Sequence, residues 1–468
     1  MRVAVIGGGA GLVSLLDSLL ARAGELPAGL ELDVFEPGDL ARGGAFGPDL
    51  DSALINLPNS AMSIRDHQRG HFADWLRLRG DSGDHDLSFA PRRVFGDYLA
   101  DQLARCRAEA EAWGWRVTVR REVVVAVSDV PGGMLVRGDE ARRYDQVVLC
   151  VGPGSAADPY ALAGEPGFHR PYPLASVLPR VASRARVLIV GTGLTAVDTV
   201  LGLLELGHEG PITMASRRGV LPGVLSAAPH RRLRFLTPER VAAGVTAEDI
   251  WELLHAELAA AGVDGGTETA WLRQGASAAG YLRHQLAHGN AVQSIFMSVP
   301  TPLAREIRRT MPGTPRLVAR YRPQLKSLQC PMPSATARKL LAAMDAGRLS
   351  VHSGLDAVRH ESGVFRTGAG LSADVVVDAT RTSPRRTTGL SRELLAGLTA
   401  SGNATWDAYD ALRVDPVTCR ILLPSGAAHP RLSAMGELTA GDIYYAASLP
   451  AVNRAADAVA ASLAEVKA

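Results

Sequence analysis

The chain has 468 residues, too many for one compact core and suited to two or three domains. An apolar fraction of 47% and a charged fraction of 21% are those of an ordinary globular protein. A formal net charge of +2 provides no strong field for nucleic acid or an anionic membrane, so neither is an expected partner.

The first element in chain order is a short apolar strand, Arg2 to Ile6, followed by the loop Gly7-Gly8-Gly9-Ala10-Gly11 and a helical run from Leu12 to Ala23. A second strand follows, Glu31 to Phe35, ending at Glu36. Short, β-branched, glycine-bounded stretches of this kind mark buried parallel strands that enter helices. No leader-like segment precedes the first strand and no apolar run is long enough to cross a bilayer, so a cytoplasmic chain is expected. Cys106, Cys150, Cys330 and Cys419 form no CxxC pair, which fits a reducing compartment.

A helix is predicted over Phe89 to Trp113, then strands near Trp115 to Val119, Glu122 to Val127 and Gly133 to Arg137. Gln146 to Val151 reads as another buried strand, ending in Gly152-Pro153-Gly154, and the proline-rich Pro159 to Pro179 reads as a linker. The opening pattern then repeats: strand Arg186 to Val190, loop Gly191-Thr192-Gly193, helix Leu194 to Leu206, strand Pro211 to Ala215. Thr246 to Met344 is mostly helical. Strands return near Leu349 to His352, Ala357 to His360 and Val375 to Ala379, and a glycine loop at Gly436 to Gly441 precedes a final helix, Ala451 to Glu465.

Two βαβ units in one polypeptide are a more specific signal than either loop alone. Gly7 and Gly9, with Gly11 nearby, allow a pyrophosphate to approach a helix N-terminus, and Glu36 stands where a carboxylate accepts from ribose hydroxyls. The third glycine of GxGxxG would fall at position 12, which is Leu12. The second loop reads GxGxxA through Ala196, and its following strand ends in Ser216-Arg217-Arg218, where an NAD site places an acid. Arginine there pairs with a 2′-phosphate, which favours NADPH; the alternative is a pair of solvated surface charges. At the other end of the chain, Gly436-Glu437 and Ala440-Gly441-Asp442 could place a helix N-terminus at the flavin N1/O2 edge.

The set Gly43-Gly44-Ala45-Phe46, Leu54-Ile55-Asn56-Leu57-Pro58, Met62-Ser63, Phe72-Ala73-Asp74-Trp75-Leu76 and Pro91-Arg92-Arg93-Val94-Phe95-Gly96-Asp97-Tyr98-Leu99 resembles an FAD/NAD(P)-binding family. That family is similar to the class B flavin monooxygenases and to amino-acid N-monooxygenases, including aspartate N-monooxygenases of secondary metabolism. The resemblance runs on through Ser216-Arg217-Arg218-Gly219 to the terminal glycine loop. Such families carry Ala-Thr-Gly at a crossover strand, whereas Arg381 follows Ala379-Thr380 here.

The resemblance implies an α/β chain with two Rossmann-like dinucleotide-binding domains, one for FAD and one for NADPH, and an inserted helical subdomain. The FAD domain is expected over 1–180 and 355–468, the NADPH domain over 181–230 and 340–354, and a substrate-facing helical insertion over 231–340. Expected cofactor contacts are Gly7, Gly9, Gly11, Glu36, Arg42, Gly44, Ala45, Phe46, Asn56, Met62, Val125, Gly152, Gly436, Glu437 and Tyr445, with the first glycine loop assigned to FAD. Those for NADPH are Gly191, Gly193, Ser216, Arg217 and Arg218.

Candidates near the chemistry are Asn56, Arg92 and Arg93. Asn56 could bond flavin or nicotinamide, or organise the turn before Pro58; the arginines could clamp a carboxylate or phosphates, or cap a helix. Tyr444 and Tyr445 could line the flavin ring or pack in the core. His284 and His288 have i, i+4 spacing but no HExxH and no third ligand, so no metal site is expected.

The function these features imply is an NADPH-dependent flavin monooxygenase that N-hydroxylates a small amine or amino acid with O2 through a C4a-hydroperoxyflavin. A flavin reductase or oxidase without oxygen insertion, and a non-catalytic nucleotide-binding scaffold, are the alternatives. A homo-oligomer is compatible with the sequence.

Overall fold

The computed structural model describes residues 1–466 except 87, 153, 155–156, 227–230, 271–276, 382 and 444–447, and leaves the side chains of 442 and 443 undescribed. The chain divides into two compact units, one of Met1–Ala157 with Arg381–Ala468, the other of Asp158–Thr380. These seams differ from the expected boundaries at 180 and 355. The reason is pairing: the proline-rich stretch read as a linker contains the strand Phe168–His169, which pairs in parallel with Val375–Asp378 and so joins the second unit.

The first unit is built on a six-stranded sheet in the order Arg420–Leu422, Ala428–Ala434, Gln146–Leu149, Arg2–Ile6, Glu31–Phe35, Arg116–Arg120. All neighbours are parallel except the first two. Both faces are covered, which explains the unbroken apolar runs. Val3 and Val5 join Leu15, Leu16, Phe95, Tyr98 and Val459 in one core, while Ala4 and Ile6 join Met134, Leu149, Leu395 and Leu432 in another. The helix Ala10–Leu20 packs against Leu449–Ala464, where Ser14 Oγ donates to Asn453 Oδ1 at 2.8 Å and Asn453 Nδ2 donates to the Ser63 carbonyl at 2.8 Å.

Most strand ends fall within a residue or two of the expectation, and one strand is displaced further. The strand expected over Glu122 to Val127 is Ala126–Val130, first strand of a three-stranded antiparallel meander with Gly133–Arg137 and Ala141–Tyr144. Glu122 is instead buried as an acceptor for Arg142 Nη1 at 2.6 Å and Asp139 N at 2.7 Å.

The second unit contains a five-stranded parallel sheet in the order Leu349–His352, Ile212–Ala215, Val187–Val190, Val375–Asp378, Phe168–His169. The helices from Pro238–Ala242 to Ser334–Asp345 belong to the same unit. Their ends are set by local chemistry: Thr246 and Asp249 form a reciprocal capping box, and Asp264, Ser277 and Asn290 each accept from a first-turn N–H. No helix of the described residues is long and apolar enough to cross a membrane.

Candidate nucleotide-binding sites

In the first unit the parallel strands stop together, and the ladder runs one residue past Ile6. Gly7 N donates to the Phe35 carbonyl at 3.0 Å, and Cys150 N to the Ile6 carbonyl at 2.7 Å. Gly7 has φ +111°, and a Cβ on it would lie 2.6 Å from the Cys150 carbonyl oxygen. A Cβ on Gly8 would lie 2.7 Å from both Cβ and Cγ of Glu36. No other residue type fits this turn. Gly9 then caps the helix Ala10–Leu20 without any side-chain hydrogen bond, so no side chain occupies the start of this helix.

Glu36 is held by its neighbours. Gly8 N donates to Oε2 at 2.8 Å and Gly38 N to Oε1 at 2.9 Å. A carboxylate offers about four lone-pair sites, so each oxygen keeps acceptor capacity for a ribose hydroxyl. Gly11 behaves differently. A Cβ there would meet Met435 Cε at 3.6 Å and Cys150 Cβ at 3.7 Å, ordinary contacts, while Leu12 is core at 1% exposure. Gly11 is a packing position of the helix, not a close-approach glycine.

Residues 41–46 cross over this turn. Ala41 N donates to the Gly8 carbonyl at 2.7 Å, and Gly43, with φ +52°, lies against Gly9. Arg42 is tied to Asp97 at 2.9 Å, and the Phe46 ring contacts Phe95 at a centroid distance of 5.0 Å. Gly96 makes the crossing possible, because a Cβ on it would lie 1.9 Å from the Phe46 carbonyl oxygen. Gly44 and Ala45 are exposed at the tip of this segment.

Asn56 is half-buried, and its side chain makes no hydrogen bond among the described residues. It does not organise the turn before Pro58. Nearby Asn59, 3% exposed, ties this segment to residue 90, its Oδ1 accepting from Ala90 N at 2.8 Å. Arg92 Nε donates to the Leu54 carbonyl at 3.1 Å, and Arg93 Nε pairs with Asp51 at 2.5 Å, which holds the Asp51 carboxyl below its usual range. Both guanidiniums thus fasten residues 51–54 to the helix Arg92–Ala112.

Met62 is 3% exposed inside the core, so its side chain is packing. Val125 is half-buried and joins the meander through N–H donation to the Arg137 carbonyl at 2.9 Å. Gly152 is exposed three residues beyond Leu149. Gly436, with φ +77°, opens a 3₁₀ turn, Gly436–Thr439, in place of the expected loop, and Glu437 pairs with Arg381. Tyr444 and Tyr445 lie outside the described residues.

The second unit repeats the turn. Gly191 has φ +119°, its N–H donates to the Ala215 carbonyl at 2.7 Å, and a Cβ on it would lie 3.0 Å from the Ala379 carbonyl oxygen. Gly193 caps the helix Leu194–Glu205 without a side-chain bond, and Ala196 is fully buried. Ser216 Oγ accepts from Gly219 N at 2.9 Å, closing the turn that carries Arg217 and Arg218. Neither arginine has an ion-pair partner among the described residues. In the helical segment His284 Nε2 meets Glu268 Oε1 at 2.8 Å and its ring packs on His288 at a centroid distance of 5.0 Å.

Residues 4–154 match the model of a family described as FAD-NAD(P)-binding. No curated protein matches the sequence. Among solved structures, the chain is similar to the Kutzneria sp. 744 ornithine N-hydroxylase with reduced FAD, NADP+ and L-orn, at TM-score 0.58 and 15% identity, covering 98% of each chain. It is similar also to the FAD-bound cadaverine monooxygenase of Erwinia amylovora, at 0.57 and 14%, covering 98% of this chain and 94% of that one. A third is the ornithine hydroxylase of Pseudomonas aeruginosa, at 0.56 and 14%, covering 99% and 98%. The fold is therefore that of the two-dinucleotide flavoprotein oxidoreductases, over the full length of the chain.

Proposed function

We propose that the chain is an FAD- and NADPH-dependent monooxygenase that N-hydroxylates a small primary amine or amino acid. The carrying observation is the duplicated glycine turn, in which Gly7 and Gly191 each abut a neighbouring backbone so closely that a side chain is excluded. The first turn, with Gly8, Gly9, Glu36 and residues 41–46, fits a flavin dinucleotide; the second, with Gly193, Ser216, Arg217 and Arg218, fits a nucleotide bearing a 2′-phosphate. Asn56 contributes a half-buried amide with unused hydrogen-bonding capacity. Bound FAD supplies hydride acceptance from NADPH and activation of O2. The balanced reaction is R–NH2 + O2 + NADPH + H+ giving R–NHOH + NADP+ + H2O. An unprotonated amine carries its own lone pair, so no general base is demanded of the protein.

Thiol chemistry is disfavoured by the cysteines. None of the four is in a disulfide, and burial pushes the thiols of Cys106 and Cys150 up to about 12, leaving almost no thiolate at neutral pH. Cysteines outside any disulfide also suit a reducing cytoplasm. The test is to reduce the purified flavoprotein anaerobically with NADPH, admit oxygen, and assay hydroxylamine across a panel of diamines and amino acids. A hydroxylamine equivalent to the NADPH consumed with one amine is the expected outcome. Stoichiometric peroxide with every amine would replace this reading with the oxidase one, and flavin that NADPH does not reduce would leave only a nucleotide-binding scaffold.

A further inference from the structure

The peptide leaving the arginine turn, residues 220–226, lies against the helical segment. Leu221 and Val224 are 2% and 3% exposed, and the backbone between them is bonded on both sides. Val224 N donates to Gln285 Oε1 at 2.8 Å, Asn290 Nδ2 donates to the Val224 carbonyl at 3.2 Å, and Ser226 N donates to Gln293 Oε1 at 3.1 Å. Ser327 Oγ donates to the Leu221 carbonyl at 2.7 Å, and Gly223 N to the Ser327 carbonyl at 2.9 Å. The three carboxamides are each 2% exposed. A Cβ on Gly223 would lie 2.8 Å from Asn290 Nδ2 and 3.0 Å from the Ser327 carbonyl oxygen, so a side chain there would displace part of the ladder.

At its other end the same peptide is tied to the glycine turn. Thr192 Oγ1 donates to the Val220 carbonyl at 2.7 Å and lies 3.0 Å from Ser216 Oγ. The turn bearing Arg217 and Arg218 is thus anchored by the strand Ile212–Ala215 before it and by the helical segment after it. Apolar contact alone would hold residues 220–226 in place but would tolerate a slip along their axis. Three buried amides bonded to one peptide favour a single position along that axis.

We infer that Gln285, Asn290 and Gln293 are positioning residues for 2′-phosphate recognition, so that the helical segment sets coenzyme preference. The inference rests on the assignment of Arg217 and Arg218 to the 2′-phosphate. Its test is calorimetric titration of the intact protein with 2′,5′-ADP, which carries that phosphate, and 5′-AMP, which lacks it. The native protein should prefer 2′,5′-ADP by about tenfold or more, and Arg217→Ala should abolish the preference. Asn290→Ala should cut the preference about fivefold with 5′-AMP affinity within about twofold of native. Gln293→Met, nearly isosteric, should do the same if Asn290→Ala does not fold. A folded ladder variant with native preference, or with equal loss for both probes, overturns the inference while leaving the arginine assignment intact. A native protein that does not separate the two probes overturns both.

Discussion

Gly96 and Phe46 meet backbone to helix, with space for nothing larger than a hydrogen between Gly96 Cα and the Phe46 carbonyl. The helix Arg92–Ala112 therefore presents a notch to the segment that crosses the first glycine turn. By helix propensity alone Gly96→Ala would stabilise by about 1 kcal/mol. The 1.9 Å approach outweighs that, because the carbonyl belongs to backbone and must move, at about 1–3 kcal/mol of overpacking. The expected result is a folded protein with flavin occupancy reduced severalfold, read from the ratio of visible to ultraviolet absorbance. Native occupancy would show that residues 41–46 do not shape the flavin site.

The glycines of the first turn are expected to separate sharply under substitution. Gly7→Ala adds a Cβ at φ +111° and 2.6 Å from a carbonyl, so the flavin should be lost and the melting temperature lowered. Gly11→Ala adds a Cβ at ordinary contact distance inside a helix, worth up to about 1 kcal/mol of added stability. Thermal melts and flavin content of the two variants check this; loss of flavin in both would return Gly11 to the phosphate site.

Arg217→Ala should raise the KM for NADPH about tenfold or more and leave that for NADH within about twofold, since one charge-assisted contact is worth about 1.4 kcal/mol or more. Steady-state flavin reduction with each coenzyme measures it. Equal effects on both would mean that the arginine turn touches no 2′-phosphate.

Stability should fall on mild acidification. Burial lowers the pKa of His71, His169 and His208 below the ordinary 6.5, reinforced at His71 by Arg65 and at His169 by Arg180 and opposed at His208 by a hydrogen bond to the Ala185 carbonyl. These rings are neutral in the native state and protonate first in the unfolded chain. Their contribution is complete above pH 6.5 and is lost as pH drops from there toward the depressed native values. Melting temperature should decline from pH 7 to about 5, and His71→Gln should reduce that slope. A melting temperature that rises over the same interval would contradict the burial of these rings.

The turns were legible because their signal is local: strand, glycines and helix occupy about twenty consecutive residues. Glu36, Ser216 and the arginines after it were equally readable, since each sits at the end of the next strand. The unit seams were not, because the short strand Phe168–His169 gains its place only by pairing with Val375–Asp378, some two hundred residues away. Arg92 and Arg93 looked like anion binders, yet their partners, the Leu54 carbonyl and Asp51, lie in a loop whose path no periodicity reveals. The substitution of glycine by Arg381 acquires a partner, Glu437, only in three dimensions. The ladder of Gln285, Asn290 and Gln293 was hidden for the same reason, as amides in a helical run read as solvent-facing until the peptide they hold is known.

The two units differ in how the chain completes them. Residues 158–380 are continuous, whereas the first sheet needs the strand Ala428–Ala434 beside Gln146–Leu149 and the helix Leu449–Ala464 against Ala10–Leu20. During synthesis residues 158–380 can mature as one unit, while the first sheet waits for residues 428–464. On the proposed reading, flavin loading therefore follows synthesis of that second segment, and a product truncated before Ala428 would keep its first glycine turn yet emerge colourless.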